Sequence, residues 1–175
     1  MDQAILDFIN AGEKPFFFSF GSRYDSSGDA TVAMVEEVAR SQGVRAIIQK
    51  GWGALGKEPS RDILIIDSAP HHQLFPHMAA AIHHGGAGTT HTAALSGIPQ
   101  VVVPENGDQF YWGHRAKTQG IGTQVPKAKL NFSNLNGAVC YALSSAVQKE
   151  AKNVAAALGQ REDMDAIAAR LMAQF

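Results

Sequence analysis

The chain has 175 residues, of which 45% are hydrophobic and 18% charged, a composition that suits one folded domain with a substantial core. Fifteen basic and sixteen acidic residues leave a formal net charge of −1, which excludes a global field that would recruit nucleic acid or an anionic membrane. Cys140 is the only cysteine, so an internal disulfide is excluded. With no signal peptide and no run of about 18 apolar residues, we expect a soluble cytoplasmic protein without a transmembrane segment.

The pattern of apolar runs predicts alternating strands and helices. After a helix-like segment over 2–11, runs typical of strands buried on both faces occur at 15–20, 44–49, 62–66, 79–83, 99–103 and 121–125. Helices are predicted at 29–41, 89–97, 107–119, 131–149, 150–159 and 162–174. Strands separated by helices imply right-handed crossovers, so we expect an α/β fold with a Rossmann-like parallel sheet flanked by helices. Such sheets bind ligands at the carboxyl ends of their strands.

A glycine-rich turn, HHGGAGTT at residues 83–90, follows the fourth predicted strand and opens a helix near Thr89. Such a turn leaves backbone N–H groups free at a helix N-terminus, where the helix dipole also favours an anion. A tight strand-to-helix connection with a capping Thr is the structural alternative. Neighbours on a strand face opposite ways, so only one histidine of the pair at 83 and 84 is expected to meet a ligand.

Asp108 and Gln109 open the helix predicted at 107–119. The structural interpretation is that Asp108 is the N-cap and that Gln109 belongs to the first turn. The functional interpretation is that a carboxylate and an amide exchange hydrogen bonds with the hydroxyls of a sugar.

These motifs carry a resemblance to a known family. The HHGGAGTT turn is followed by GIP at 97–99, VP at 103–104, GDQ at 107–109 and YWG at 111–113. Together they resemble the nucleotide-sugar-binding half of the two-domain GT-B glycosyltransferases, and most of all the bacterial and fungal sterol, macrolide and glycopeptide enzymes. The segments 18–22, 50–53 and 69–71 also match the family in order, so the likeness covers roughly residues 12–125.

The resemblance implies a site for a UDP- or dTDP-linked sugar, with no metal and no cofactor. It assigns the diphosphate to Ser22, His84, Gly86, Gly88, Thr89 and Thr90, which leaves His83 as the structural member of the histidine pair. It assigns the nucleobase to Trp52 and His71, and the sugar to Asp108 and Gln109. Plant relatives have Trp where this chain has Ser68 and an acidic ribose ligand where it has Thr92, so the choice between uridine and thymidine stays open.

The resemblance also implies an inverting, metal-independent hexosyltransferase that glycosylates a hydroxyl of a sterol, a macrolide or a similar lipophilic acceptor. The N–H groups of Gly88, Thr89 and Thr90, with His84, would stabilise charge on the leaving diphosphate. Residues 1–175 would then form a single donor-nucleotide-binding domain with a helical C-terminal tail. The acceptor-binding N-terminal domain and its catalytic base would be absent, so we expect the chain to be inactive alone. We also expect it to self-associate through residues 162–175 or to leave them mobile.

Several rival interpretations are weaker. Residues 51–57 have Walker A spacing, but Glu58 and Pro59 follow where a Ser/Thr and a helix are required. His91 stands at the third glycine position of a dinucleotide fingerprint, and the Asp-x-Asp at 163–165 begins a predicted helix. Six histidines between 71 and 91 raise the possibility of a metal-dependent hydrolase, although their spacing is poor. A non-catalytic nucleotide-binding regulatory module is the main alternative.

Overall fold

A computed structural model describes residues 1–19, 28–50 and 60–159. In these residues the sheet has six strands: β1 (Phe16–Ser19), β2 (Ala46–Gln49), β3 (Ile63–Ile66), β4 (Ala81–His83), β5 (Gln100–Val102) and β6 (Gly122–Gln124). All six predicted strands are confirmed, and within the described residues their ends lie up to two residues inside the apolar runs.

Every strand pairing in the sheet is parallel, and the strand order is β3-β2-β1-β4-β5-β6. This is the doubly wound order in which the direction of winding reverses between β1 and β4. At that point Ser19, the last residue of β1, lies beside His83, the last residue of β4. The predicted Rossmann-like parallel sheet is confirmed, and the glycine-rich turn begins at the topological switch point.

The helices of the described residues are α1 (Gln3–Asn10), α2 (Gly28–Gln42), α3 (His71–Leu74), α4 (Ala87–Leu95), α5 (Asp108–Thr118), α6 (Phe132–Ala142) and α7 (Ser145–Gly159). The short α3 and the 3₁₀ turn at Phe75–His77 were not predicted, and α4 begins at Ala87, two residues before the expected Thr89. The predicted terminal helix at 162–174 lies outside the described residues.

The boundary between the last two described helices is also corrected. The sequence pattern placed it at 149–150, whereas the structure places it at Leu143 and Ser144. No glycine or proline marks this break. Instead, the side-chain amide of Gln148 donates to the carbonyl oxygen of Leu143 at 2.8 Å and satisfies a carbonyl that the end of α6 leaves exposed.

Strand alternation divides the core between the two faces of the sheet. Phe16 and Phe18 of β1 pack with Val35 and Val38 of α2, whereas Phe17 joins a cluster on the opposite face with residues of α1 and α3. All three phenylalanines are almost completely buried. A further cluster, Val102, Ala116, Ile121 and Ala151, joins the sheet to α5 and α7. The sheet is thus covered on both faces, which leaves the carboxyl edge of its strands for ligand contacts. None of the described helices is long and apolar enough to cross a membrane.

Candidate functional site

The turn after β4 has glycine at two positions where an added side chain would meet a close neighbour. Gly85 has a φ of +94°, and a Cβ there would lie 2.7 Å from the Val102 side chain and 3.0 Å from the backbone oxygen of Gln109. A Cβ on Gly86 would lie 2.7 Å from Nε2 of His84. The turn therefore brings the start of α5 against Gly85 and lays the His84 imidazole over the residue that precedes α4.

The N-terminus of α4 lies at the same edge of the sheet. Gly86 is the N-cap and offers no side-chain cap, so the N–H groups of Ala87, Gly88 and Thr89 have no acceptor within the helix. Ala87 and Gly88 are exposed, and a Cβ on Gly88 would meet no described atom within 4 Å. Three donors at one helix end, together with the positive end of the helix dipole, suit an anionic group.

The structure changes the role expected for Thr90. Its backbone N–H donates to the carbonyl oxygen of Gly86 at 3.0 Å, and its hydroxyl donates to the same oxygen at 2.9 Å. The residue is only 6% exposed. Because α4 begins at Ala87, Thr90 already belongs to its hydrogen-bonded interior. The N–H that sequence analysis assigned to the diphosphate is therefore used by the first turn, and Ala87 takes its place among the free donors.

His84 is half-buried beside this N-terminus. Its Nε2 lies against Gly86, while its Nδ1 is inaccessible to solvent. The imidazole thus stands next to the free N–H groups of α4, where sequence analysis expected a ligand of the diphosphate.

His83, in contrast, is fully buried. Its Nδ1 accepts a hydrogen bond from the N–H of Gly85 at 3.1 Å, and its Nε2 lies 2.9 Å from Oε1 of Gln100. Burial lowers the pKa of His83 to about 4, with the hydrogen bond to Gln100 acting in the opposite direction. A neutral, buried and hydrogen-bonded imidazole supports the structural role expected for His83.

His71 lies at the start of α3, after β3. Its Nε2 is 3.2 Å from Oε1 of Gln49, and its ring stacks on Phe75 with centroids 4.7 Å apart. Burial and, second, the charge of nearby His84 lower its pKa. The two histidines therefore lie close enough for the charge of one to affect the other. Gln49 was missed by the sequence analysis, although a polar residue at the end of a buried strand was the available signal.

Asp108 and Gln109 lie in the first turn of α5, and Asp108 is not its N-cap. The cap is Gly107, with a φ of 54° and no side chain to donate or accept. The carboxylate of Asp108, which is exposed, accepts a hydrogen bond from Nε1 of Trp112 at 3.2 Å. The structural interpretation of Asp108 as a cap is therefore corrected, and Trp112 joins the residues that sequence analysis missed.

The side chain and the backbone of Gln109 make contacts with different parts of the site. Its Oε1 accepts hydrogen bonds from the N–H groups of Glu105 at 2.8 Å and Asn106 at 3.3 Å, and so holds the loop before α5. Its backbone carbonyl packs against Gly85. The first turn of α5 is thus fixed directly beside the glycine turn, and the amide NH₂ is the part of Gln109 suited to a ligand.

Some predicted site features cannot be placed. Ser22 and Trp52 lie outside the described residues, as do the Walker-like segment 51–57 and the Asp-x-Asp at 163–165. The histidine-rich region is described in full, and among the described residues no group of three or more His, Cys, Asp or Glu side chains could hold a metal ion. A metal-dependent hydrolase therefore has no geometric support in this part of the chain.

A family model for the C-terminal domain of erythromycin biosynthesis protein CIII-like proteins matches residues 43–172. The chain belongs to this family. Its EryCIII-like C-terminal domain contains every element from β2 to α7 and therefore both the glycine turn and the first turn of α5.

Curated relatives of this EryCIII-like domain are glycosyltransferases. The chain is 34% identical to a sterol 3-beta-glucosyltransferase of Arabidopsis thaliana over 98% of its own length and 27% of the relative. It is 36% identical to the vancomycin aglycone glucosyltransferase of Amycolatopsis orientalis over 94% of its own length and 40% of the relative. The chain thus spans about a quarter to two fifths of these relatives, and the resemblance to sterol and glycopeptide glycosyltransferases is confirmed.

Solved structures support the fold of the EryCIII-like domain. The glycosyltransferase SnogD from Streptomyces nogalater superposes with a TM-score of 0.73 at 22% identity, covering 94% of this chain and 43% of that one. The spinosyn forosaminyltransferase SpnP gives a TM-score of 0.80 at 17% identity, with coverages of 96% and 46%. At these identities the likeness concerns the fold, which is that of one half of a GT-B glycosyltransferase.

Proposed function

We propose that this chain is the donor-binding domain of an inverting, metal-independent glycosyltransferase and binds a UDP- or dTDP-linked sugar. The observation that carries the proposal is the convergence of three features at the switch point of the sheet. His84, the free N–H groups of α4 and the first turn of α5 all meet around Gly85 and Gly86. Ligands of doubly wound sheets bind at this position.

Each part of the donor would meet a different set of groups. The diphosphate would lie at the N-terminus of α4, within reach of His84 and the N–H groups of Ala87, Gly88 and Thr89. The sugar hydroxyls would exchange hydrogen bonds with the carboxylate of Asp108 and the amide of Gln109. The nucleobase would lie toward His71, whose ring is held by Gln49 and Phe75. Ser22 and Trp52 remain assigned to the diphosphate and the nucleobase by family resemblance alone.

The proposed reaction is a single displacement. The oxygen of an acceptor hydroxyl attacks the anomeric carbon, the bond from that carbon to the β-phosphate oxygen breaks, and the configuration inverts. The hydroxyl proton passes to a base on a second domain, and the bonding pair leaves with the nucleoside diphosphate. Negative charge develops on the β-phosphate, where oriented N–H groups and His84 stabilise the transition state more than the ground state.

The acceptor is proposed to be lipophilic. The support is that similar glycosyltransferases are named for a sterol and for the vancomycin aglycone. In this proposal a separate acceptor-binding domain supplies both the acceptor pocket and the base. The chain by itself should therefore bind the donor without transferring its sugar.

Titration calorimetry with UDP and dTDP in the presence of EDTA tests the proposal. We expect saturable binding of at least one nucleotide, unchanged by added Mg²⁺, because protein donors and not an ion would neutralise the diphosphate. Adding a UDP- or dTDP-hexose and a sterol or macrolide should yield no glycoside. Failure of both nucleotides to bind at millimolar concentration would rule out the proposed function.

A further inference from the structure

A buried polar chain links the end of β4, the start of β5 and the first turns of α4. It consists of His83 and Gln100, neither of which is exposed to solvent, together with backbone groups of Gly85 and Thr90. Buried polar groups cost free energy unless each is paired, and here three successive hydrogen bonds pair them. This buried polar chain of hydrogen bonds lies directly beneath the glycine turn.

The hydrogen bonds define which ring nitrogen of His83 carries the proton and how the amide of Gln100 is oriented. Because the N–H of Gly85 donates to Nδ1 of His83 at 3.1 Å, that nitrogen carries a lone pair. The ring proton is then on Nε2, which donates to Oε1 of Gln100 at 2.9 Å. This orients the amide of Gln100 so that its Nε2 donates to the carbonyl oxygen of Thr90 at 3.2 Å. Every donor in this buried polar chain faces an acceptor. Reversing the direction of any one hydrogen bond would break the adjacent ones.

We propose that His83 and Gln100 are positioning residues of the donor site, because their hydrogen-bond chain holds the Gly85 peptide and the first turn of α4 in the orientation that binds a diphosphate. The inference rests on the proposed function and names two residues that touch no ligand. At one end the chain fixes the N–H of Gly85, whose φ of +94° turns the backbone toward α4. At the other end it holds Thr90 O, one residue after the last free N–H of the helix.

The hydrogen bonds of His83 and Gln100 should strengthen diphosphate binding because they align the N–H groups before the ligand arrives. Free N–H groups that are already aligned need not be ordered when the anion binds, whereas a loosened turn would lose part of the binding energy to that ordering. An apolar residue at position 100 would fill the core but leave Nε2 of His83 and the oxygen of Thr90 without these partners. The turn would then relax to satisfy them, and the diphosphate donors would lose their common orientation.

The test compares Gln100→Leu with Val101→Ala. Val101 is the neighbouring buried residue on the opposite face of β5, so the control destabilises the same strand without touching the hydrogen-bond chain. With UDP and dTDP titrated at a temperature where both variants are folded, we expect affinity to fall about tenfold or more for Gln100→Leu. For Val101→Ala we expect a change of less than about twofold.

Side-chain nitrogen NMR supplies a readout that ordinary destabilisation does not change. In the unaltered chain His83 should show a neutral ring protonated at Nε2. Equal affinities for Gln100→Leu and Val101→Ala, or a His83 ring protonated at Nδ1, would overturn the inference. Absence of binding by the unaltered chain would instead refute the proposed function, whatever the tautomer of His83.

Discussion

At the scale of single residues, His84 and Asp108 should contribute to different parts of the same ligand. Replacing His84 by Ala should weaken binding of the nucleoside diphosphate and of its sugar conjugate alike, because both carry the charge that His84 is proposed to contact. Loss of one charge-assisted hydrogen bond costs about 1.5–3 kcal/mol, roughly a 10- to 150-fold loss of affinity. Replacing Asp108 by Ala should weaken only the conjugate. Calorimetric titration of both ligands into both variants measures this difference.

His77→Ala is the matched control for His84→Ala. His77 is exposed at the end of a 3₁₀ turn that leads into the amino end of β4, at the opposite edge of the sheet from the carboxyl ends where the site lies. This variant should bind both ligands normally. If Asp108→Ala weakened both ligands equally, Asp108 would contribute through the fold of α5 and the sugar subsite would be wrong. That outcome would favour the non-catalytic nucleotide-binding module.

The sequence motifs named His84 and Gln109, which the structure places against the glycine turn, but not all of their contacts. A glycine at position 86 was predictable from the motif, whereas its close contact with Nε2 of His84 depends on how the turn folds. The N–H of Thr90 was misassigned because α4 begins two residues earlier than the sequence pattern indicates. Gln100 stood as a polar residue inside a predicted buried strand, a local conflict that marks a buried hydrogen bond but does not name its partner.

At the scale of elements, a substitution at the N-terminus of α4 should stabilise the fold and weaken nucleotide binding. Gly88 lies in the first turn, its φ is not positive, and a Cβ there would meet no described atom within 4 Å. Gly88→Ala should therefore raise the free energy of unfolding by roughly 0.5–1 kcal/mol, because alanine has the higher helix propensity. The same methyl group would stand where the diphosphate approaches, and we expect affinity to fall at least about tenfold. Urea unfolding and nucleotide titration measure the two effects.

Gly137→Ala is a control that separates the gain in stability from the loss of nucleotide affinity. Gly137 lies in α6, which packs on the opposite face of the sheet, and an added Cβ would likewise meet no described atom within 4 Å. This variant should gain similar stability and keep normal affinity. Unchanged nucleotide binding by Gly88→Ala would mean that the diphosphate does not approach this turn of α4.

Elements differ in how far they can be predicted. The strands were recovered because each is a short run of buried residues whose pattern is local. The division between α6 and α7 was misplaced because it depends on a side-chain hydrogen bond from Gln148 to Leu143 rather than on a glycine or proline. The short α3 was missed because one turn of helix has no periodicity to detect, although it carries His71.

At the scale of the whole molecule, strand order is what turns separate motifs into one site. The spacing of strands and helices predicts parallel pairing, but no local pattern states that β4 lies beside β1 rather than β3. That adjacency places the glycine turn at the switch point. It also buries His83 between β4, β5 and α4, so the protonation of one side chain is coupled to the stability of the whole fold.

Acidification should therefore destabilise the protein through His83. Burial lowers its pKa to about 4 in the folded chain, against 6.5 for an unperturbed histidine. Between these values the unfolded chain binds the proton more readily than the folded one, so stability is retained above about pH 6.5 and is lost as the pH falls toward 4. Protonation of His83 across this interval should lower the free energy of unfolding by about 3 kcal/mol. The lowered pKa of His71 acts in the same direction.

Urea unfolding of the parent chain and of His83→Gln at a series of pH values from 7 to 4 isolates this contribution. Glutamine does not titrate, so the variant should lose less stability across the interval, and the difference between the two slopes belongs to His83 because His71 is present in both. NMR titration of the His83 ring in the parent chain gives the folded-state pKa directly and does not depend on the variant folding. A His83 pKa near 6.5, or parallel pH profiles for the two proteins, would show that the imidazole is not held neutral by burial.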